Sequence, residues 1–327
     1  MKRHNVLMVG QFPPLITGEG IANALVYDIL KGEGVALKVV DSCIIDNVGA
    51  VGKFSVNKVF RALMVILNSA LRLPLVDKLY ATPGQTIFGI VRFLPIVWFA
   101  ILLRKEIYLH WHGYGILGLV ERYKFIRGLI FRDSIKNILR TKDLKIRLKN
   151  SGCNTNSCHV IKNFSKKMPA PSHRQPTLRG KVNVSCLGGL RVEKGIREFV
   201  EVAKQADDVG FVVCGKGDAK IEEEIQAASS AKQLEYKGLV QGITQEIAFN
   251  EADVFVLQTA HPTEGVPLTI IEAMQHGCAI VTTKHNGIPE TVGNAAMFIK
   301  PNSSQELLDA LSKLHEDRDL LFKYQQL

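Results

Sequence analysis

The chain has 327 residues, enough for two domains of ordinary size, each with its own core. Apolar residues at 46% against 22% charged exclude a disordered chain, and the net charge of +10 is lopsided: 23 Lys and Arg stand against 10 Asp and Glu through residue 165, and 18 against 21 after it. This asymmetry points to a polyanionic surface met by one domain only; no nucleic-acid motif is present, so an anionic membrane surface is the expected partner and nucleic acid is not.

Met1-Lys2-Arg3-His4 runs straight into a strand pattern over Val6–Val9, so no secretory leader is expected. The following loop carries Gly18 and Gly20 where a helix pattern opens. A dinucleotide-binding dehydrogenase needs Gly-x-Gly-x-x-Gly directly after the strand; here the glycines come late and Asn23 stands in the third position, which argues against that class. Further strand patterns cover Leu37–Val40, Lys78–Ala81, Glu106–Trp111 and His159–Ile161. The longest apolar run, Ile87 to Leu103, contains Arg92 and Pro95; it is too short and interrupted for a membrane span and reads as one buried or interfacial helix. His112 and Gly113 close the Glu106–Trp111 strand, with His110 two residues back on the same face, so an imidazole there can hydrogen-bond a ligand at a strand C-terminus.

Pro169, Pro171 and Pro176 then fall in a polar stretch without periodicity. Residues 169–181 read as a linker between an N-terminal domain, 1–168, and a C-terminal domain, 182–327. The strand-helix alternation restarts with Val182–Leu187, Phe211–Cys214, Gln233–Tyr236, Val254–Leu257, Ala279–Thr282 and Ala296–Ile299, and a last helix pattern covers Ser303–His315. The fold class is α/β, two Rossmann-like doubly wound domains. Six cysteines show no paired framework, and Cys153, Cys158 and His159 lack a fourth ligand, so neither disulfides nor a metal site is expected, and a reducing cytoplasm fits.

Chemistry concentrates in the second half. Gly188-Gly189-Leu190-Arg191-Val192-Glu193-Lys194-Gly195 follows a strand and precedes a helix; its glycines let backbone approach a phosphate, and Arg191 and Lys194 can neutralise one. Gly215 and Gly217 follow the next strand. In Glu264-Gly265-Val266-Pro267-Leu268, Gly265 and Pro267 break structure before an apolar run at helical spacing, so Glu264 is expected on a loop and Glu272 about a turn inside a helix. The amides of that helix start form an anion site between two carboxylates, the layout a sugar nucleotide requires.

Residues 264–290, from Glu264-Gly265-Val266-Pro267 through Glu272-Ala273-Met274 to Gly287-Ile288-Pro289-Glu290, resemble the signature of the retaining glycosyltransferases of family 4. That resemblance implies the GT-B fold, with two Rossmann-like domains facing each other across a cleft, the N-terminal domain, 1–168, binding the acceptor and the C-terminal domain, 182–327, binding the nucleotide-sugar donor. It also implies transfer of a hexose or N-acetylhexosamine from a nucleoside-diphosphate sugar to a glycan or lipid-linked acceptor, with no metal and no cofactor. Synthesis of an envelope glycan such as lipopolysaccharide, capsule or exopolysaccharide at the inner face of the cytoplasmic membrane would follow. By the same resemblance Lys194 grips the donor diphosphate, Glu264 contacts the sugar hydroxyls, Glu272 holds the ribose, and His112-Gly113 matches the family's His-Gly motif. Arg191 stands in for an arginine whose usual place is Gly189, and Gly18 and Gly20 approach the donor phosphate. A nucleotide-sugar sensor without turnover is the alternative. The family's closing helix, which returns to the N-terminal domain, is not expected from the residues after His315.

Overall fold

The computed structural model describes residues 4–14, 17–44, 56–166 and 180–327. The chain divides into two units, Met1–Phe164 and Ser165–Leu327, and most of the expected linker, residues 169–179, lies outside the described residues.

The first unit is a six-stranded, wholly parallel sheet of β1 (Asn5–Gly10), β2 (Ala36–Asp41), β3 (Lys78–Ala81), β4 (Glu106–His110), β5 (Ile135–Leu139) and β6 (Cys158–Val160), in the order β2-β1-β3-β4-β5-β6. Its helices are α1 (Gly18–Gly32), α2 (Val56–Arg72), α3 (Ile87–Val91), α4 (Leu94–Leu102), α5 (Gly115–Arg122), α6 (Lys124–Ile130) and α7 (Lys142–Asn150). Threonines begin three of them: Thr17, Thr86 and Thr141 accept the amides of Gly20, Gly89 and Leu144 at 2.9, 3.0 and 3.1 Å. Trp111, wholly buried, gives its indole N–H to Asn137 Oδ1 at 2.8 Å, which reconciles a polar ring atom with the core.

The run from Ile87 to Leu103 is two helices rather than one. Pro95 lies in the first turn of α4, where its missing N–H costs no hydrogen bond, and a helix continued through it from α3 would lose one. Ile96, Val97 and Ala100 are buried while Trp98 and Leu102 are exposed, and among the described residues no helix is long and apolar enough to cross a membrane.

The second unit is a second parallel sheet: β7 (Val182–Gly189), β8 (Val209–Lys216), β9 (Glu235–Gly238), β10 (Val254–Leu257), β11 (Ala279–Thr283) and β12 (Ala296–Ile299), ordered β12-β11-β10-β7-β8-β9. Around it run α8 (Ile196–Ala203), α9 (Ala219–Ser230), α10 (Ile243–Glu251), α11 (Leu268–Gln275), α12 (Ile288–Val292), α13 (Ser304–Glu316) and α14 (Arg318–Gln326). Every residue of β10 and β11 is buried, as strands covered on both faces must be. Ser303 caps α13 by accepting the Glu306 amide at 3.2 Å, and α14, which the sequence reading did not include, starts on an Asp317 cap and buries Leu321 in the core of this unit.

The strand ends of this sheet are built on glycine. Gly215 has φ +141°, and a Cβ there would sit 1.9 Å from the Gly188 carbonyl oxygen. Gly215→Ala should therefore cost more than about 2 kcal/mol of stability, from strain plus backbone displacement. Urea unfolding followed by circular dichroism would check this; an unchanged midpoint would contradict the close approach.

Candidate functional site

In a doubly wound sheet, ligands meet the C-terminal strand ends where the strand order reverses. The second sheet reverses at β7 and β10, and the loops after those two strands are clamped together. A 3-10 turn over Val192–Lys194 ends on Gly195, whose φ of +81° and contact with Gln258 exclude a Cβ, which would come within 2.7 Å of Gln258. Ala260 N donates to Glu193 O at 2.7 Å. With the backbones so fixed, Lys194 Nζ meets the Glu264 carboxylate at 2.8 Å, both side chains partly buried.

The Glu264 loop is held from behind. Asn286 Nδ2 donates to Glu264 O at 2.9 Å, and His285 Nε2 donates to His261 O at 2.8 Å. Burial lowers the His261 pKa; Glu264 opposes that shift, and Lys194 and Arg191 add to it, so Arg191 acts on the same imidazole as Lys194 and Glu264. Gly265, Val266, Pro267 and Leu268 are buried, and α11 begins at Leu268 with Pro267 extended and no side-chain cap. Glu272 is the fifth residue of α11, as expected, and accepts Gln245 Nε2 from α10 at 2.9 Å. Burial pushes the Glu272 carboxyl up from its ordinary value, with the Gln245 hydrogen bond pulling the other way. Gly217 is packed beside the Leu190 carbonyl, and its amide donates to Glu222 at 3.1 Å, so backbone packing accounts for Gly217 as it does for Gly215.

In the first unit the sheet reverses at β1 and β3. Gly10 ends β1 so tightly that a Cβ would lie 2.2 Å from Thr82 Oγ1. Gly18 and Gly20 form the first turn of α1 with Glu19 between them. Burial pushes the Glu19 carboxyl up to about 7, against hydrogen bonds from Thr82 and the Gln11 backbone and the positive charge of Arg92. At the ends of β4 and β5, the His110 and His112 rings stack with centroids 4.5 Å apart, Tyr80 Oη lies 2.5 Å from His110 Nδ1, and Arg140 Nη2 lies 2.8 Å from His112 Nδ1. Burial holds both imidazoles well below their ordinary pKa, and the charge of Arg140 adds to that.

The structure thus pairs Lys194 with Glu264 ahead of α11, with Arg191 near enough for its charge to act on His261 and Glu272 a turn inside the helix, and places His112, Gly18 and Gly20 in the first unit. Sequence reasoning missed His261, Gln245, Asn286, Glu19 and Arg140, which have no motif to mark them. Among the described residues no His, Cys, Asp and Glu cluster could hold a metal ion, and none of the six cysteines is in a disulfide.

Glu19 makes the first-unit site sensitive to pH. Its folded pKa of about 7 lies above the ordinary 4.5, so its contribution to stability is full below pH 4.5 and is lost as pH rises through about 7. Glu19→Gln should gain stability over the parent across that window and hold a constant advantage above it. Thermal unfolding followed by fluorescence of Trp98 and Trp111, both in this unit, would check it; parallel pH profiles for the two proteins would contradict it.

The family model described as Glycosyl transferases group 1 matches residues 181–317. Over 154 residues the chain is 32% identical to a 2-deoxystreptamine N-acetyl-D-glucosaminyltransferase of Niallia circulans, covering 45% of this chain and 39% of that protein. Over 189 residues it is 27% identical to a putative colanic acid biosynthesis glycosyltransferase of Salmonella typhimurium, covering 54% and 46%. The chain therefore spans less than half the length of these relatives. The fold as a whole is similar to that of Anabaena HepE in complex with UDP and glucose, with a TM-score of 0.70 at 15% identity over 99% of this chain and 93% of that one. Residues 181–317 thus belong to the Glycosyl transferases group 1 family, in a chain with the GT-B fold.

Proposed function

We propose that this protein transfers a hexose or N-acetylhexosamine from a nucleoside-diphosphate sugar to an acceptor hydroxyl, with retention at the anomeric carbon, in the synthesis of an envelope glycan. The observation that carries this reading is the Lys194–Glu264 ion pair at the switch point of the second sheet, beside the uncapped start of α11. The nucleotide and sugar in the HepE complex and the colanic acid relative support the donor class and the setting.

In this reading the donor diphosphate lies on the first amides of α11, where the helix dipole favours negative charge. Lys194 and Arg191 stabilise the charge that grows on the diphosphate as the glycosidic bond breaks, with no metal in that role. Glu264 meets the sugar hydroxyls and Glu272 the ribose diol. The acceptor attacks the face that the leaving group vacates, through an oxocarbenium-like transition state.

His112 takes a narrower part than a proton acceptor. An arginine can only donate, so His112 Nδ1 accepts from Arg140 and the ring proton sits on Nε2. The imidazole can give a hydrogen bond to a ligand and cannot serve as the base.

Lys194→Ala should lower kcat roughly ten- to hundredfold with a smaller effect on donor KM, because the lost charge matters most in the transition state. Glu272→Gln should weaken UDP and donor alike by roughly 1.5–3 kcal/mol, whereas Glu264→Gln should lower turnover and leave UDP affinity near the parent value. Calorimetry with UDP alone separates the two, since UDP has a ribose and no sugar; equal losses would reverse the assignment.

The acceptor is proposed to be glycan or lipid-linked, handled on an anionic membrane surface at the cytoplasmic face. Support comes from the cationic first half of the chain and from α2, which exposes Phe60, Leu63, Leu67 and Leu71 along one face, with Trp98 and Leu102 exposed on the adjoining α4. The parent protein should float with anionic vesicles at low salt, and a Leu63→Asp, Leu67→Asp double variant should not, at unchanged circular dichroism. Flotation that survives these substitutions would rule out α2 as the contact.

A further inference from the structure

Arg140 directly follows β5 with 1% of its surface exposed, and among the described residues no carboxylate pairs with it. Asp143, the acid nearest in sequence, is taken by Tyr114 Oη at 2.8 Å and by Arg147 at 2.9 Å. One guanidinium nitrogen, Nη2, reaches His112 Nδ1; Nε and Nη1 are buried with no partner. The Nε2 of His112, which carries the ring proton, is likewise buried without a partner. The guanidinium therefore keeps two N–H sites and a full positive charge out of water with nothing to accept from them, and the His112 N–H, directed away from Arg140, is unfilled as well. Buried polar groups are almost always paired, and a buried cation without an anion is costly, so the cluster is built for a ligand that brings the missing charge and acceptors.

We propose that Arg140, with His112 held beside it, forms a seat for a phosphoryl group carried by the acceptor. A phosphoryl group brings the negative charge that compensates the guanidinium and oxygens that can accept from its unfilled N–H groups. The seat lies on the C-terminal edge of the sheet, where parallel α/β units bind ligands, and belongs to the first unit, whereas the Lys194–Glu264 pair belongs to the second. It rests on the reading of the first unit as the acceptor side.

The test uses the full chain, with inorganic phosphate and pyrophosphate as probes and UDP at saturation to fill the donor site. In protein labelled at histidine, phosphate should shift the ring signals of His112 and raise the thermal midpoint, and chloride at equal ionic strength should do neither. Arg140→Gln should weaken that binding at least about tenfold, and Arg140→Lys should retain part of it. The proposal is overturned if the His112 signals do not respond up to tens of millimolar, or if they respond equally in Arg140→Gln. It is also overturned if UDP competes with phosphate for the Arg140-dependent response, because the seat would then belong to the donor. Failure of the parent protein to bind UDP or transfer sugar, with the phosphate response intact, would instead strike the functional reading alone.

Discussion

Both sheets are wholly parallel, and that one constraint decides where chemistry can sit. Every strand of a unit ends at the same edge, so the loops that leave those ends converge, and the point where strand order reverses leaves a crevice that no crossover helix covers. Lys194 and Glu264 are 70 residues apart in the chain, yet they follow β7 and β10, the two strands flanking that reversal. Glu19 and Thr82 follow β1 and β3 in the same way.

Convergence alone would leave such loops loose; the close approaches around Gly195 and Gly215 remove that freedom. Each glycine sits at a positive φ where a side chain would strike neighbouring backbone, so the loop path has little alternative. The Ala260–Glu193 backbone hydrogen bond then fixes the spacing from which Lys194 reaches Glu264. A partly buried ion pair of this kind adds little net stability, because desolvation offsets attraction. Its value is positional: both charges are held in place by the backbone, and neither must be ordered when a ligand arrives.

Motif-bearing residues were legible because their signal is local. Glu264 and Glu272 announced themselves through Gly265 and Pro267, and the structure has the loop and helix that this spacing predicts. β5 was missed because Lys136 and Asn137 interrupt its apolar pattern, and only the fold shows that Asn137 is inside to receive Trp111. The run from Ile87 to Leu103 read as one helix because its hydrophobicity hid the restart at Pro95. Arg140 was invisible: an arginine before a capping threonine looks like surface, and its burial depends on His112, 28 residues away. Gln245 on Glu272 is the same kind of contact, set by tertiary packing across 27 residues.

The first-unit site gains its character from how its charges are arranged. The two histidines are neutral, and the His112 proton is fixed on the side away from Arg140, so the stacked rings carry hydrogen-bonding direction without carrying charge. Glu19, the acid whose charge burial suppresses, contributes a full negative charge only above about pH 7 and stands near Arg92 rather than pairing with Arg140. The strand edge that ends in His112 and Arg140 therefore stays electropositive across neutral pH, and its donors stay unfilled by the protein's own carboxylates. A neutral sugar hydroxyl could satisfy one of those donors but could not balance the buried guanidinium, and that difference in charge selects an anionic group for this position.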